Sequence, residues 1–291
     1  MVIHRRVLFN DQVHDSSEKL LAPGQVGLFA GLGVFSTLRV AEGVLFAFER
    51  HWGRMTKDAA LFRVPMPCTQ EEARRRLLEL VEANQAYEAS LRVYVVRNDG
   101  SAFCGPCEQR SDLVAMTTDL KTWGAGVKLG YVPNARHAAS RFAGTKILSW
   151  AMNLILVEEA QSKGLDEVIL LNERGEVSEC TSANIFVANG SAVWTPPLSA
   201  GCLPGVTRDV LLREVHVRGY EISERTLMPA DLEKADEVFI TSTTRDLLPV
   251  LEIEGKPLKQ QHQARSALQA EFSRYFEKYV AEHKRAPVQA R

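Results

Sequence analysis

The stretch Glu176-Val177-Ser178-Glu179-Cys180-Thr181-Ser182-Ala183-Asn184-Ile185-Phe186 sets a carboxylate, Glu179, among small residues between strand-like runs. A carboxylate in such surroundings needs a designated partner; the alternative reading is a hairpin-edge glutamate facing water. Working outward, Asn172-Glu173-Arg174-Gly175 reads as a hairpin turn, and residues 167–171 as the strand before it. Residues 146–163 have the length and periodicity of a buried helix that stops at Gly164. On the other side, residues 183–187 and 193–195 are β-rich, and Leu203-Pro204-Gly205-Val206-Thr207 leads into a helix through Arg218. Residues 237–241 and 247–253 form further strands around Ser242-Thr243-Thr244, and residues 263–282 a last amphipathic helix.

The N-terminal third alternates differently. Residues 2–9, 34–40 and 44–48 are short strand-like pieces separated by turn signals, followed by helical periodicity over 49–62 and 69–85. Thr69-Gln70-Glu71-Glu72 places a glutamate at the third position of a capping box. Residues 90–97 and 113–118 then read as strands. The expectation is an α/β (α+β) chain of two domains: a small N-terminal α/β domain over 1–118, a connection over 119–131, and a larger domain over 132–291. A length of 291 residues fits two domains of roughly 150.

Composition excludes several classes of function. Hydrophobic residues are 45% and charged residues 24%, the balance of a folded globular protein. Lys plus Arg is 35 against 36 Asp plus Glu, so the chain lacks the broad basic field of a non-specific nucleic-acid binder. The uncharged run 147–157 is about half a bilayer-spanning helix, and the N-terminus carries no apolar run after Arg5 and Arg6, so the expected location is the cytoplasm. Five cysteines fit a reducing compartment. Cys104-Gly105-Pro106-Cys107 has redox spacing, but the strand-like residues that follow leave no helix to activate a thiol; a Gly-Pro turn is the better reading, and one such pair cannot complete a metal site.

Three polar features suit an anion: the helix start at Val206 and Thr207, the hydroxyl cluster Ser242-Thr243-Thr244, and Arg54 behind Trp52. Each taken alone also reads as a plain cap, turn or solvated arginine. Lys146 is a candidate for Schiff-base chemistry with a carbonyl compound.

Together, Ala143-Gly-Thr-Lys146, residues 176–186, Thr195-Pro-Pro197, Leu203-Pro-Gly-Val-Thr-Arg208 and Phe239-Ile-Thr-Ser-Thr243 resemble, in order and spacing, the fold-type IV pyridoxal-phosphate enzymes. That group includes branched-chain aminotransferases, D-amino-acid aminotransferases and 4-amino-4-deoxychorismate lyases. The resemblance implies a β-barrel-like larger domain and pyridoxal 5′-phosphate as cofactor. It makes Lys146 the catalytic lysine joined to the cofactor, and Glu179 the partner of the pyridine nitrogen. Arg54, Val206, Thr207 and Thr243 would hold the phosphate, and Leu203 would lie against the ring. For the substrate it points to Phe35, Arg92 and Thr244. It also implies a homodimer acting on an amino donor and a keto-acid acceptor, with an apolar L-amino acid and 2-oxoglutarate as the expected pair.

Departures bear on substrate. Ala151 stands where branched-chain enzymes commonly have tyrosine, and Phe35-Ser36-Thr37 is nearer the lyases. Ser90-Leu91-Arg92 lacks the usual tyrosine but keeps the arginine, residues 101–106 fall on a substrate loop, and Arg245 is a possible second carboxylate clamp.

Overall fold

A computed structural model describes residues 2–22, 26–99, 109–259 and 261–284. Cys104, Cys107 and the loop expected over 101–106 lie outside the described residues. Two compact units emerge: Met1–Lys121 with Lys146–Ser149 and Phe276–Arg291, and Thr122–Thr145 with Trp150–Tyr275.

In the first unit, a six-stranded sheet is built from β1 (Ile3–Phe9), β2 (Gln12–Asp15), β3 (Gly33–Ala41), β4 (Val44–Leu45), β5 (Ala89–Arg97) and β6 (Ser111–Asp119), in the antiparallel order β2-β1-β6-β5-β3-β4. Helix α1 (Val26–Ala30) precedes β3; α2 (Phe48–Leu61) and α3 (Gln70–Asn84) connect β4 to β5. Alternation decides which face the helices cover. Val34, Leu38 and Val40 of β3, with Leu91, Val93 and Val95 of β5, join Phe48, Trp52, Met55 and Ala59 of α2 and Leu77 and Leu80 of α3 in one core. Each Val, Leu, Phe or Met among them, fully buried, contributes about 1.5–3 kcal/mol relative to exposure. The expected capping box is present: the Thr69 hydroxyl accepts from the Glu72 amide, and the Glu72 carboxylate accepts from the Thr69 amide.

β4 pairs only with the far end of β3, at Val40 and Ala41. The near end of that edge is covered by Lys146–Ser149: Val34 bridges Ile147, Phe35 N–H donates to the Lys146 carbonyl at 3.1 Å, and Leu148 N–H donates to the Gly33 carbonyl at 3.0 Å. Lys146 therefore does not open a helix, as the periodicity of 146–163 suggests, and it groups with the first unit rather than with the span 132–291. Helix α4 begins only at Ala151, because the preceding residues spend their backbone groups on a sheet edge.

The second unit holds β7 (Val127–Val132), α4 (Ala151–Ser162), β8 (Glu167–Leu171), β9 (Val177–Cys180), β10 (Asn184–Asn189), β11 (Ala192–Thr195), α5 (Val206–Arg213), β12 (Glu221–Glu224), α6 (Pro229–Lys234), β13 (Glu237–Ser242), β14 (Asp246–Ile253), β15 (Lys256–Pro257) and most of α7 (Gln263–His283). Its sheet runs β12-β11-β10-β13-β14-β7-β8-β9, with β15 on β14. Cys180 N–H donates to the Ala183 carbonyl, which turns the last strand back toward β10 and curls the sheet. Val127, Leu129, Ile169, Ile185, Val187 and Ile240 fill its interior. On the outer face α4 packs Leu156 and Ala160 against Val168 and Leu170. No helix among the described residues is long and apolar enough to cross a membrane.

Candidate functional site

Two polar clusters hold the expected residues, one in each unit. The first hangs on α2. His51, Arg54 and Asp58 recur at steps of three and four, so one helix face carries all three. Opposite lies β3, whose even positions point at the helix; where the core would take another Val or Leu, it offers Ser36, fully buried. Arg54 Nη2 donates to Ser36 Oγ at 2.9 Å, and Ser36 Oγ stands 2.8 Å from His51 Nδ1. Burial, together with the cations Arg54 and Lys146, drives the His51 pKa well below 6.5. His51 is therefore neutral, and with the proton on Nε2 its Nδ1 accepts from the Ser36 hydroxyl while that hydroxyl accepts from Arg54.

Lys146 is held by its main chain from both sides. Its N–H donates to Asp58 Oδ2 at 3.1 Å, and its carbonyl accepts from Phe35 N–H. Its Nζ lies 4.5 Å from the centroid of the Phe35 ring, which stacks on Tyr94 at 5.7 Å. Arg92, in register with Thr37 on β5, is half-buried. Cation, lysine amine and aromatic ring are thus fixed by a helix face and a sheet edge.

The second cluster is built mainly from backbone. Glu179 on β9 is buried; Oε1 accepts from Arg136 Nε at 3.1 Å and Oε2 from Leu203 N–H at 3.0 Å. Asn184 starts β10 in register with Thr241 of β13, and its amide donates to the Leu203 carbonyl at 2.9 Å. Gly205 passes so close that a Cβ there would lie 2.0 Å from Asn184 Oδ1. That approach delivers the start of α5, whose first amides have no partner within the helix. The hydroxyl of Thr207, in its first turn, is buried with no hydrogen-bond partner among the described residues. Helix α5 ends at Arg213, short of the expected Arg218. Thr243 and Thr244 form the turn from β13 to β14, and the Thr244 carbonyl accepts from Trp123 Nε1 at 3.0 Å.

Arg245 does not stand open as a clamp. Its Nη2 reaches Glu167 Oε2 and Ser182 Oγ, both at 2.8 Å, and its guanidinium carbon lies 4.2 Å from the centroid of the Trp123 ring. Cys180 and Cys202 are poor thiolates: burial raises both, Cys202 to about 12. Among the described residues no group of three His, Cys, Asp or Glu is placed to hold a metal ion.

Sequence reasoning missed Ser36, His51 and Asp58 in the first cluster, and Arg136 and Asn184 in the second. The spacing of His51, Arg54 and Asp58 along α2 was the available signal. Arg136 gave none, since its pairing with Glu179 joins residues 43 apart in the chain.

The amino-transferase class IV family matches residues 33–253. The D-alanine aminotransferase of Bacillus licheniformis is 28% identical over 272 residues, covering 87% of this chain and 90% of its own. The branched-chain-amino-acid aminotransferase of Escherichia coli K12 is 26% identical over 248 residues, 78% of each chain. Among solved structures, a branched-chain aminotransferase from Thermoproteus uzoniensis superposes with a TM-score of 0.86 at 24% identity, over 96% of this chain and 98% of that one.

Proposed function

Because this chain belongs to the class IV aminotransferases, enzymes that work with pyridoxal 5′-phosphate, we propose that it moves an amino group between an apolar, branched-chain L-amino acid and 2-oxoglutarate, with Lys146 as the cofactor-bonding residue. The observation that carries the assignment is the two-sided main-chain grip on Lys146, which fixes its backbone on a sheet edge with the amine 4.5 Å from the centre of the Phe35 ring.

The residues present fit the cofactor. Thr207 keeps a buried hydroxyl with no partner among the described residues at the N-terminus of α5, the kind of donor a phosphate dianion takes up. We assign the phosphate to Arg54, the Val206 and Thr207 amides, and the hydroxyls of Thr207 and Thr243. Leu203 would lie against the ring. Glu179, already oriented by Arg136 and the Leu203 amide, would pair with the pyridine nitrogen and keep that nitrogen protonated. When bound, the cofactor supplies an electron sink for the charge left at the substrate Cα. Once free of the cofactor, the Lys146 amine would be the base that takes the substrate Cα proton, a role that needs it close and correctly aimed. Phe35, Arg92 and Thr244 are assigned to the substrate, with Arg92 the cation for a carboxylate.

The names of the relatives support the apolar donor but include a D-alanine enzyme. The lyase-like Phe35-Ser36-Thr37 has a structural reason instead: the Ser36 hydroxyl serves Arg54 and His51. We further infer a cytoplasmic homodimer. Free thiols at Cys68, Cys180 and Cys202 support a reducing compartment, and Met152, Leu154 and Ile155 expose an apolar face of α4 suited to a second copy.

The test is a panel of donors with the bound cofactor's visible absorption as readout. L-leucine or L-valine should bleach it and 2-oxoglutarate restore it. A response to D-alanine alone would replace the L-donor reading. Pyruvate released from aminodeoxychorismate without a keto-acid acceptor would replace transamination by the lyase reaction.

A further inference from the structure

Asp58 is an expensive residue to place where it stands. It lies 7% exposed on the inner face of α2, and burial raises its pKa even though the Lys146 backbone N–H and the charges of Arg54 and Lys146 pull it down. Ionising it in the fold therefore costs stability, a cost that grows as pH rises from 3.8 through the raised value. An uncharged acceptor such as asparagine would hold the same N–H without that cost.

We propose that Asp58 is a positioning residue for Lys146, gripping its backbone amide and setting an anion against the two cations of the cluster, so that the charge, and not only the hydrogen bond, tunes the lysine. Three observations converge on it. The amide contact is direct, at 3.1 Å. The same helix face brings Arg54 one turn before Asp58, and the neutral His51, held through Ser36, adds no counter-charge. Arg54 and Lys146 are the charges that act on Asp58 among the described residues. An anion near an amine favours its protonated form and raises its pKa, and Lys146 is one of the charges that act on Asp58.

This inference rests on the assignment of Lys146 as the cofactor lysine, and one experiment separates the two. Wild type, Asp58→Asn and Asp58→Ala, each purified with pyridoxal 5′-phosphate, are titrated with pH by the visible absorption of the bound cofactor. They are also reduced with borohydride to map the linked lysine, and melted without substrate. The expected result is an adduct on Lys146 in all three. In Asp58→Asn the absorption midpoint falls by about one unit while the melting temperature is unchanged or higher. Asp58→Ala, which loses the acceptor as well, shows the same direction and retains cofactor about tenfold less well. An unchanged midpoint in Asp58→Asn, with stability lost, would reduce Asp58 to a structural group and overturn the inference. Absence of an adduct on Lys146 in wild type would instead overturn the assignment beneath it.

Discussion

The two polar clusters solve similar problems with different materials. In the first unit the work falls to side chains: Arg54, Lys146, Asp58, His51 and Ser36 form a chain of charges and hydroxyls on one helix face and one sheet edge. In the second unit the backbone does it. Gly205 and Asn184 bring an amide-rich helix start into place, and an ion pair, Glu179 with Arg136, orients a carboxylate. The side-chain cluster is tuned chiefly by charge, the backbone cluster chiefly by steric fit. Substitutions in the first should therefore act on reactivity and pH dependence, and those in the second on shape.

The largest difference is expected from removing the reactive group. Lys146→Ala should lower transamination by about 10³-fold, the scale of a lost acid–base group, while leaving the melting temperature nearly unchanged; steady-state rates with L-leucine measure it. Gly205→Ala sits on the other side of the comparison. Its Cβ would meet Asn184 Oδ1 at 2.0 Å, so it should cost about 2 kcal/mol of stability, read by urea denaturation, and weaken cofactor retention without shifting any pH midpoint.

Next comes the titrating side. The His51 pKa lies well below 6.5 because of burial first, then Arg54 and Lys146, so the unfolded chain binds a proton that the folded chain refuses. Stability is whole above 6.5 and falls below it by about 1.4 kcal/mol per pH unit, down to the depressed folded value. His51→Gln should flatten that slope in denaturation curves taken at roughly pH 6.5 and 5.5. If it does not, the first cluster is no more pH-sensitive than the second. The smallest effect belongs to Ser36→Ala, which removes a hydrogen bond worth about 1 kcal/mol from Arg54. Equilibrium dialysis should show cofactor affinity lower by about fivefold, and an unchanged affinity would mean that Arg54 needs no such support.

What the sequence made legible follows the same division. Local signals were readable: the Thr69 capping box, the strand Glu167–Leu171, the hairpin turn at Asn172–Gly175 and the start of α5 at Val206 all depend on neighbours within a few residues. β7 was not. Residues 119–131 read as a connection, yet Val127–Val132 lies parallel between β14 and β8, partners distant in the chain, and its glycine leaves little apolar pattern to see. Lys146 was found by its motif but misplaced in a helix, because an apolar run carries no sign that its first residues will pair with Gly33–Phe35 more than a hundred positions earlier. The roles of Arg136 and of Asn184, which stands in the motif 176–186, were unreadable for the same reason. Their roles are contacts across the fold, and nothing in their own neighbourhoods announces them.

The central claim is that one lysine, fixed by Asp58 and Phe35, bonds the cofactor. Borohydride reduction of the holoenzyme followed by peptide mass spectrometry tests it directly. The pyridoxyl group should be found on Lys146 and be lost in Lys146→Ala; an adduct of full yield on any other lysine would contradict the account.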